Sequence, residues 1–358
     1  MNSYFICATQ FTNLGDLIIN KMLIDELCKY GKVYIDAFGV PENFRVHLLE
    51  NKNTVDINKQ FNFTVKRLGV CNIWRFIRFY QNHHVELTTR SPGPLCESSE
   101  KTRLAFYFIN SIARLFKSTV CYIGNCASEL EVLGKHFKSE NVNSLYLRSF
   151  ASVNFMRQTF SSQVSYIPDM AFLLKKKVSS SFKEKIVGVD FRPVKGLENE
   201  SKQKFISIIN KYLDSGFRVV LYYQVYGDKD FILDLFNSIS HPLLSLREDI
   251  VWYDDLSFYA DKMFIVSNRL HSLLVGAAFG AMPICIYDDI PQLRKIKEVF
   301  SSSFGDKLPI LFDSSIEDIV HQSIILWDEF RETLDNLMNQ QANIVSDTIN
   351  KISLSLNS

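Results

Sequence analysis

Short apolar runs of strand length recur along this chain, each followed by a longer stretch with helical spacing, and this rhythm restricts the fold more than any other feature. Residues 4–8 (YFICA) read as a strand, Leu17 to Tyr30 place Ile18, Met22, Leu23 and Leu27 on one helical face, and Lys32 to Ala37 read as the next strand. The same order returns past the middle, in KIVGVDF (185–191), a polar helical stretch from Glu198 to Leu213, FRVVLYYQV (217–225), MFIVS (263–267), LHSLLVGAAFGA (270–281) and MPICIY (282–287). Strands alternating with helices build parallel sheets coated by helices. The expected fold class is therefore α/β, with two Rossmann-like domains.

Length agrees: 358 residues exceed what one hydrophobic core usually organises. Between the two blocks the chain passes from apolar residues to lysines and serines (SYIPDMAFLLKKKVSSSFKEK), which marks a linker near residues 175–184. The expected division is an N-terminal Rossmann-like domain (1–175), a C-terminal one (184–315), and helices over 316–358 that pack back across the domains. The last stretch has helical pattern and no glycine or proline from Ile316 to Ile352.

With 40 basic against 39 acidic residues, whole-chain electrostatics give no argument for nucleic acid, so any anion must be bound by a local site. Seven cysteines (7, 28, 71, 96, 121, 126, 285) stand apart without a CxxC pair, which predicts buried free thiols in a reducing compartment. The first residues lack a basic region leading into a long apolar core, and no apolar run nears the ~20 residues that span a bilayer. The expected location is the cytoplasm, with the inner membrane face as the surface it would touch.

The stretch SNRLHSLLVGAAFGAMPICIY (267–287) sets Arg269 and His271 where a buried strand gives way to a helix. Ser267 and Asn268 are placed to cap that helix. Its N-terminus then faces outward at the carboxyl end of a parallel strand, where open α/β sheets bind ligands and where free amides favour an anion. Residues two apart on a helix diverge by about 200°, so Arg269 and His271 can share a ligand only in the first turn. An arginine there can grip a carboxylate or phosphate, and a histidine can donate a proton near neutral pH. A salt-bridging arginine with a satisfied core histidine is the competing reading.

Arg192 after KIVGVDF and Gln224 in LYYQV are two further polar residues at strand ends, each able to be a plain loop residue or part of one crevice. In the first strand-to-helix turn, TNLGD (12–16), Gly15 allows a tight backbone and Asn13 and Asp16 are available for capping or for hydroxyl groups; one glycine and no lysine exclude a phosphate-binding loop. KRLGVCNIWRFIRFYQNHH (66–84) interleaves Lys66, Arg67, Arg75 and Arg78 with aromatics. Ile73, Phe76, Ile77 and Tyr80 make one helical face, for packing on a sheet or for contact with a membrane or lipid acceptor. His83 and His84 have no carboxylate to complete a metal set, and no metal is expected.

On TNLGD, LYLRSFAS (145–152), IPDMAFLL (167–174), VGVDFRP (187–193), YYQVYGDKDF (222–231) and SNRLHSLLVGAAFGAMPICIYDD (267–289), the sequence resembles the polysaccharide pyruvyl transferase family. The resemblance implies a GT-B-like architecture with the donor on the C-terminal domain. It implies transfer of the enolpyruvyl unit of phosphoenolpyruvate onto two hydroxyls of a sugar or lipid-linked oligosaccharide, forming a cyclic ketal in a surface glycan such as a capsule or exopolysaccharide. Donor-binding residues would be Arg192, Arg269, Leu270, His271, Ser267 and Gln224. His271 would act as proton donor, and Asp16 or Asp190 as base, with Asn13 and Asp16 toward the acceptor. No cofactor beyond the donor is required. The alternatives are a nucleotide-sugar glycosyltransferase of the same architecture and a non-catalytic glycan-binding subunit.

Overall fold

A computed structural model of the chain describes residues 1–66, 70–95, 100–127, 141–160, 163–174, 185–286, 291–305 and 317–357. The linker expected at 175–184, Arg67 and Cys96 lie outside the described residues. The chain divides into two compact units. The first comprises Met1–Phe11, Asp16–Met170 and Ala342–Ser358; the second comprises Thr12–Gly15 and Ala171–Gln341.

In the first unit the described strands are β1 (Asn2–Ile6), β2 (Val33–Asp36), β3 (Thr54–Asp56), β4 (Val85–Arg90), β5 (Gly93–Pro94), β6 (Thr119–Cys126), β7 (Ser144–Leu147) and β8 (Gln163–Tyr166). They form one sheet in the order β3-β2-β1-β4-β6-β7-β8, with β5 beside β6, and every pair is parallel. Between them run α1 (Leu14–Leu27), α2 (Glu42–Leu48), α3 (Ile57–Gln60), α4 (Val70–His83), α5 (Glu100–Leu115) and α6 (Phe150–Thr159). The helical face read in α4 is the buried one: Phe76, Phe79 and Tyr80 surround Tyr4 of β1, with Ile73 and Ile77 packed beside them.

The second unit holds β9 (Ile186–Asp190), β10 (Arg218–Leu221), β11 (Leu244–Leu246), β12 (Phe264–Ser267) and β13 (Met282–Cys285), again all parallel, in the order β11-β10-β9-β12-β13. Its helices are α7 (Glu198–Asp214), α8 (Lys229–Asn237), α9 (Leu270–Ala278) and α10 (Pro291–Phe304). A single helix, α11 (Ile319–Asn357), starts in the second unit and ends in residues that count with the first. Strands β9, β12 and β13 are buried along their whole length, which explains their continuous apolar runs: each face is covered by helices.

Helix α9 sits unusually close to the sheet. A Cβ on Gly276 would overlap the side chain of Ile265 in β12, so the missing side chain sets the distance between helix and strand. Among the described residues, no helix is long and apolar enough to cross a membrane.

Candidate functional site

The order β11-β10-β9-β12-β13 reverses direction between β9 and β12, because the chain leaves β9 to build one side of the sheet and returns through β12 to build the other. Loops leaving the carboxyl ends of these two strands therefore part to opposite faces and open a crevice. Ser267 is in register with Asp190 at that point, so Arg192 and Arg269, each two residues beyond its strand, emerge side by side.

Two side chains fix this junction. The Ser267 hydroxyl donates to the Asp190 carbonyl (2.5 Å) and accepts from the Arg269 amide (2.9 Å). Asn268 accepts from the Arg192 amide (2.9 Å) and donates to the Arg192 carbonyl (3.0 Å). The expectation that both would cap α9 is thus corrected: Asn268 stitches the two strand ends together, and Arg269 occupies the N-cap position without a side-chain capping bond. His271 follows as the second residue of the helix, so both basic residues lie at its pole, as their spacing requires. The amides of Leu270 and His271 belong to the first turn, which has no carbonyl partners inside the helix.

Arg269 is held by a carboxylate that sequence reasoning passed over. Its Nη2 lies 2.5 Å from Asp228. Asp228 stands at the N-cap position of α8 but makes no capping bond there, its carboxylate being turned to the arginine instead. The signal was present in YYQVYGDKDF, as an aspartate just before a helix. Buried Asp190 accepts from the Ser272 hydroxyl, which also accepts from Tyr222 (3.3 Å). Gln224 is buried too, its side-chain oxygen accepting from Tyr259 (3.3 Å) and its carbonyl from the Leu14 amide (3.0 Å).

Electrostatics follow from this crowding. Burial, and then the charge of Asp228, push the Asp190 carboxyl up from its ordinary range, against the opposing pull of Arg269. Burial also raises Asp228, with Arg269 opposing. Burial and the neighbouring Arg269 lower the Arg192 guanidinium to about 10. With Asp190 driven toward its neutral form, two guanidiniums face one carboxylate beside a helix N-terminus. Such a group of charges favours a small anion.

Thr12–Gly15, the first four residues of TNLGD, count with this second unit. Asn13 bridges Val225, and the Tyr226 amide bonds to the Thr12 carbonyl (3.2 Å). Gly15 lies against the Nδ1 edge of the His271 ring, so that any Cβ would collide with it. Gly15 is therefore required for close approach to the imidazole. Asn13 accepts from the Gly15 amide (2.9 Å) at the start of α1.

Asp16 counts with the first unit, where it accepts from the Thr9 hydroxyl (2.6 Å) and the Gln10 amide (3.0 Å) and so ties the loop after β1. In the same unit, Arg148 of LYLRSFAS pairs with Asp169 of IPDMAFLL (2.6 Å), both buried; two of the sequence blocks are thus halves of one ion pair. The described cysteines are free and buried except for exposed Cys71, and burial pushes the Cys7 and Cys28 thiols up to about 12. Among the described residues, no cluster of three or more metal-ligating side chains occurs.

The family model described as polysaccharide pyruvyl transferase matches residues 98–289, more than half of the chain. The chain belongs to this family. The match covers Arg192, Gln224, Asp228, Arg269 and His271, and makes the protein a pyruvyl transferase by family. Among curated proteins no sequence matches it significantly.

In fold, the transferase is similar to a glycosyltransferase from Rickettsia africae (TM-score 0.63, 8% identity, 100% of this chain and 99% of that one covered). It is also similar to UDP-GlcNAc 2-epimerases from Neisseria meningitidis (0.56, 14%, 99% and 99%) and Methanocaldococcus jannaschii (0.58, 9%, 92% and 94%). At these identities the likeness is one of architecture. The fold class is GT-B-like, as the sequence led us to expect.

Proposed function

We propose that this transferase moves the enolpyruvyl group of phosphoenolpyruvate onto two hydroxyls of a sugar in a surface glycan, closing a pyruvate ketal and releasing phosphate. The observation that carries this reading is the pairing of Arg192 and Arg269 across the β9–β12 switch point, beside the first turn of α9. Phosphoenolpyruvate presents a carboxylate and a phosphate, and two guanidiniums with the amides of Leu270 and His271 match those charges.

In this mechanism His271 delivers a proton to the methylene carbon, which leaves the adjacent carbon cationic. One sugar hydroxyl adds there and loses its proton; departure of phosphate renews the cation, and the second hydroxyl closes the ketal. General acid help of this kind is worth about 10²- to 10⁴-fold. In this reading Asp190, raised by burial and bonded to the Ser272 hydroxyl of α9, would exchange protons beside the donor. Asp16, whose carboxylate accepts from Thr9 and Gln10, is the other carboxylate of this reading, toward the acceptor. Ser267 and Gln224 would support the donor site indirectly, Ser267 through the Asp190 carbonyl and Gln224 through Tyr259. The reaction needs no cofactor besides its donor, and the acceptor is a sugar or lipid-linked oligosaccharide.

Turnover of phosphoenolpyruvate with candidate acceptors, followed by phosphate release and product mass, tests the reading. Arg269→Ala should raise the donor KM, whereas His271→Ala should lower kcat by about a hundred-fold or more. Nucleotide release from a sugar nucleotide, with phosphoenolpyruvate inert, would replace this reading with a glycosyltransferase.

A further inference from the structure

Helices α4 and α5 are neighbours on one face of the first unit's sheet. Tyr80 of α4 bonds to Thr88 of β4 (2.7 Å), and the ring of Phe106 in α5 lies under the Arg90 guanidinium of the same strand (4.1 Å). Thr88 and Arg90 are two residues apart, hence on the same side. The Tyr80 and Phe116 rings meet at 6.2 Å, where α4 and the end of α5 adjoin. The core takes Phe76, Phe79, Tyr80, Phe106 and Ile109 from this layer.

A second set of large apolar side chains points the other way. Trp74 is 63% exposed, Tyr107 42%, Phe108 38% and Leu115 76%. Arg78 and Arg114 are exposed among them. Helix α4 contains no acidic residue, and α5 contains one, at its first position. Single exposed apolar residues are ordinary, but four on two adjacent helices, with arginines among them and no acidic residue in the sequence of α4, make a directed surface.

We propose that this outer face of α4 and α5 docks on an anionic bilayer surface. Charge complementarity selects that occupant: arginines meet lipid phosphates, while the indole and phenol rings sit at the headgroup level, where one end of each ring is apolar and the other wet. The inference is independent of the donor assignment, since it uses no residue of the second unit. It would hold the enzyme at the surface where a lipid-linked acceptor resides.

Co-sedimentation of the full chain with vesicles tests it. Vesicles of phosphatidylglycerol mixed with phosphatidylcholine should bind the protein at low salt, and phosphatidylcholine alone should bind it weakly. The Arg78→Ala/Arg114→Ala pair should weaken binding about thirty-fold, and added salt should release the protein. Trp74→Phe should remove the blue shift of tryptophan emission that vesicles cause. These exposed substitutions should leave the melting temperature and turnover on a water-soluble acceptor unchanged. Equal binding to both vesicle types, or undiminished binding by the variants, would overturn the proposal. So would self-association that Trp74→Ala abolishes without any vesicle binding, which would assign the face to a second copy of the chain.

Discussion

Gly15 and Asp190 show how single residues shape the candidate site. Gly15 has no side chain because the His271 ring fills the space where one would be. Gly15→Ala should displace the imidazole while leaving the unit folded, and a shift of about 1 Å in a catalytic group can cost about a hundred-fold in rate. A fall in kcat with an unchanged melting temperature is the expected pattern; unchanged kcat would remove His271 from the chemistry. Asp190 is held in a raised state by burial and by Asp228. A carboxyl raised on folding contributes stability at low pH, and that contribution is lost as pH climbs from the unfolded value near ~4 through the raised folded value. Asp190→Asn should flatten that decline, read as melting temperature against pH; parallel curves for the two proteins would show that Asp190 ionises freely. The place of Arg269 and His271 at the helix pole was legible in the sequence, because residues so spaced at a strand-to-helix junction share only the first turn; the competing reading of a salt-bridging arginine is met by Asp228. Asp228 itself was not legible, because only folding brings it to Arg269, 41 residues away in sequence.

Helix α9 is the element that brings these residues together in the candidate site. Its N-terminal pole carries Arg269 and His271, and its depth against β12 is set by the contact of Gly276 with Ile265. Gly276→Ala would gain about 1 kcal/mol of helix propensity, but overpacking costs about 1–3 kcal/mol, and a β-branched isoleucine in a strand has little freedom to yield. The net expectation is a lower melting temperature together with reduced turnover, because lifting the helix moves its pole. A variant as stable and active as the parent would show that α9 is free to adjust. The sequence displayed this helix and its two flanking strands clearly, since buried parallel strands leave unbroken apolar runs. It misassigned Asn268, because an asparagine before a helix normally caps it; here the neighbouring strand end offered a two-bond partner in Arg192.

Across the whole molecule, the two units each draw on residues distant in sequence. The first is completed by the end of α11, where Ala342, Val345, Ile349 and Ile352 form a buried stripe. Ile349→Ala should destabilise that unit by about 2–5 kcal/mol while leaving donor affinity intact, measured by thermal unfolding and donor titration. Unaltered unfolding would mean that the tail adds nothing to the core. The second unit takes in Thr12–Gly15, a turn whose sequence reads as a plain helix cap. The sequence by itself determined the α/β class, the parallel strands and the basic strand ends, because periodicity, burial and strand termini are local properties of the chain. Tertiary structure alone decided that Asp228 grips Arg269, that Asp190 is driven toward neutrality, and that Gly15 lies on His271. These are contacts between separate segments, and their strength comes from burial that no local pattern records.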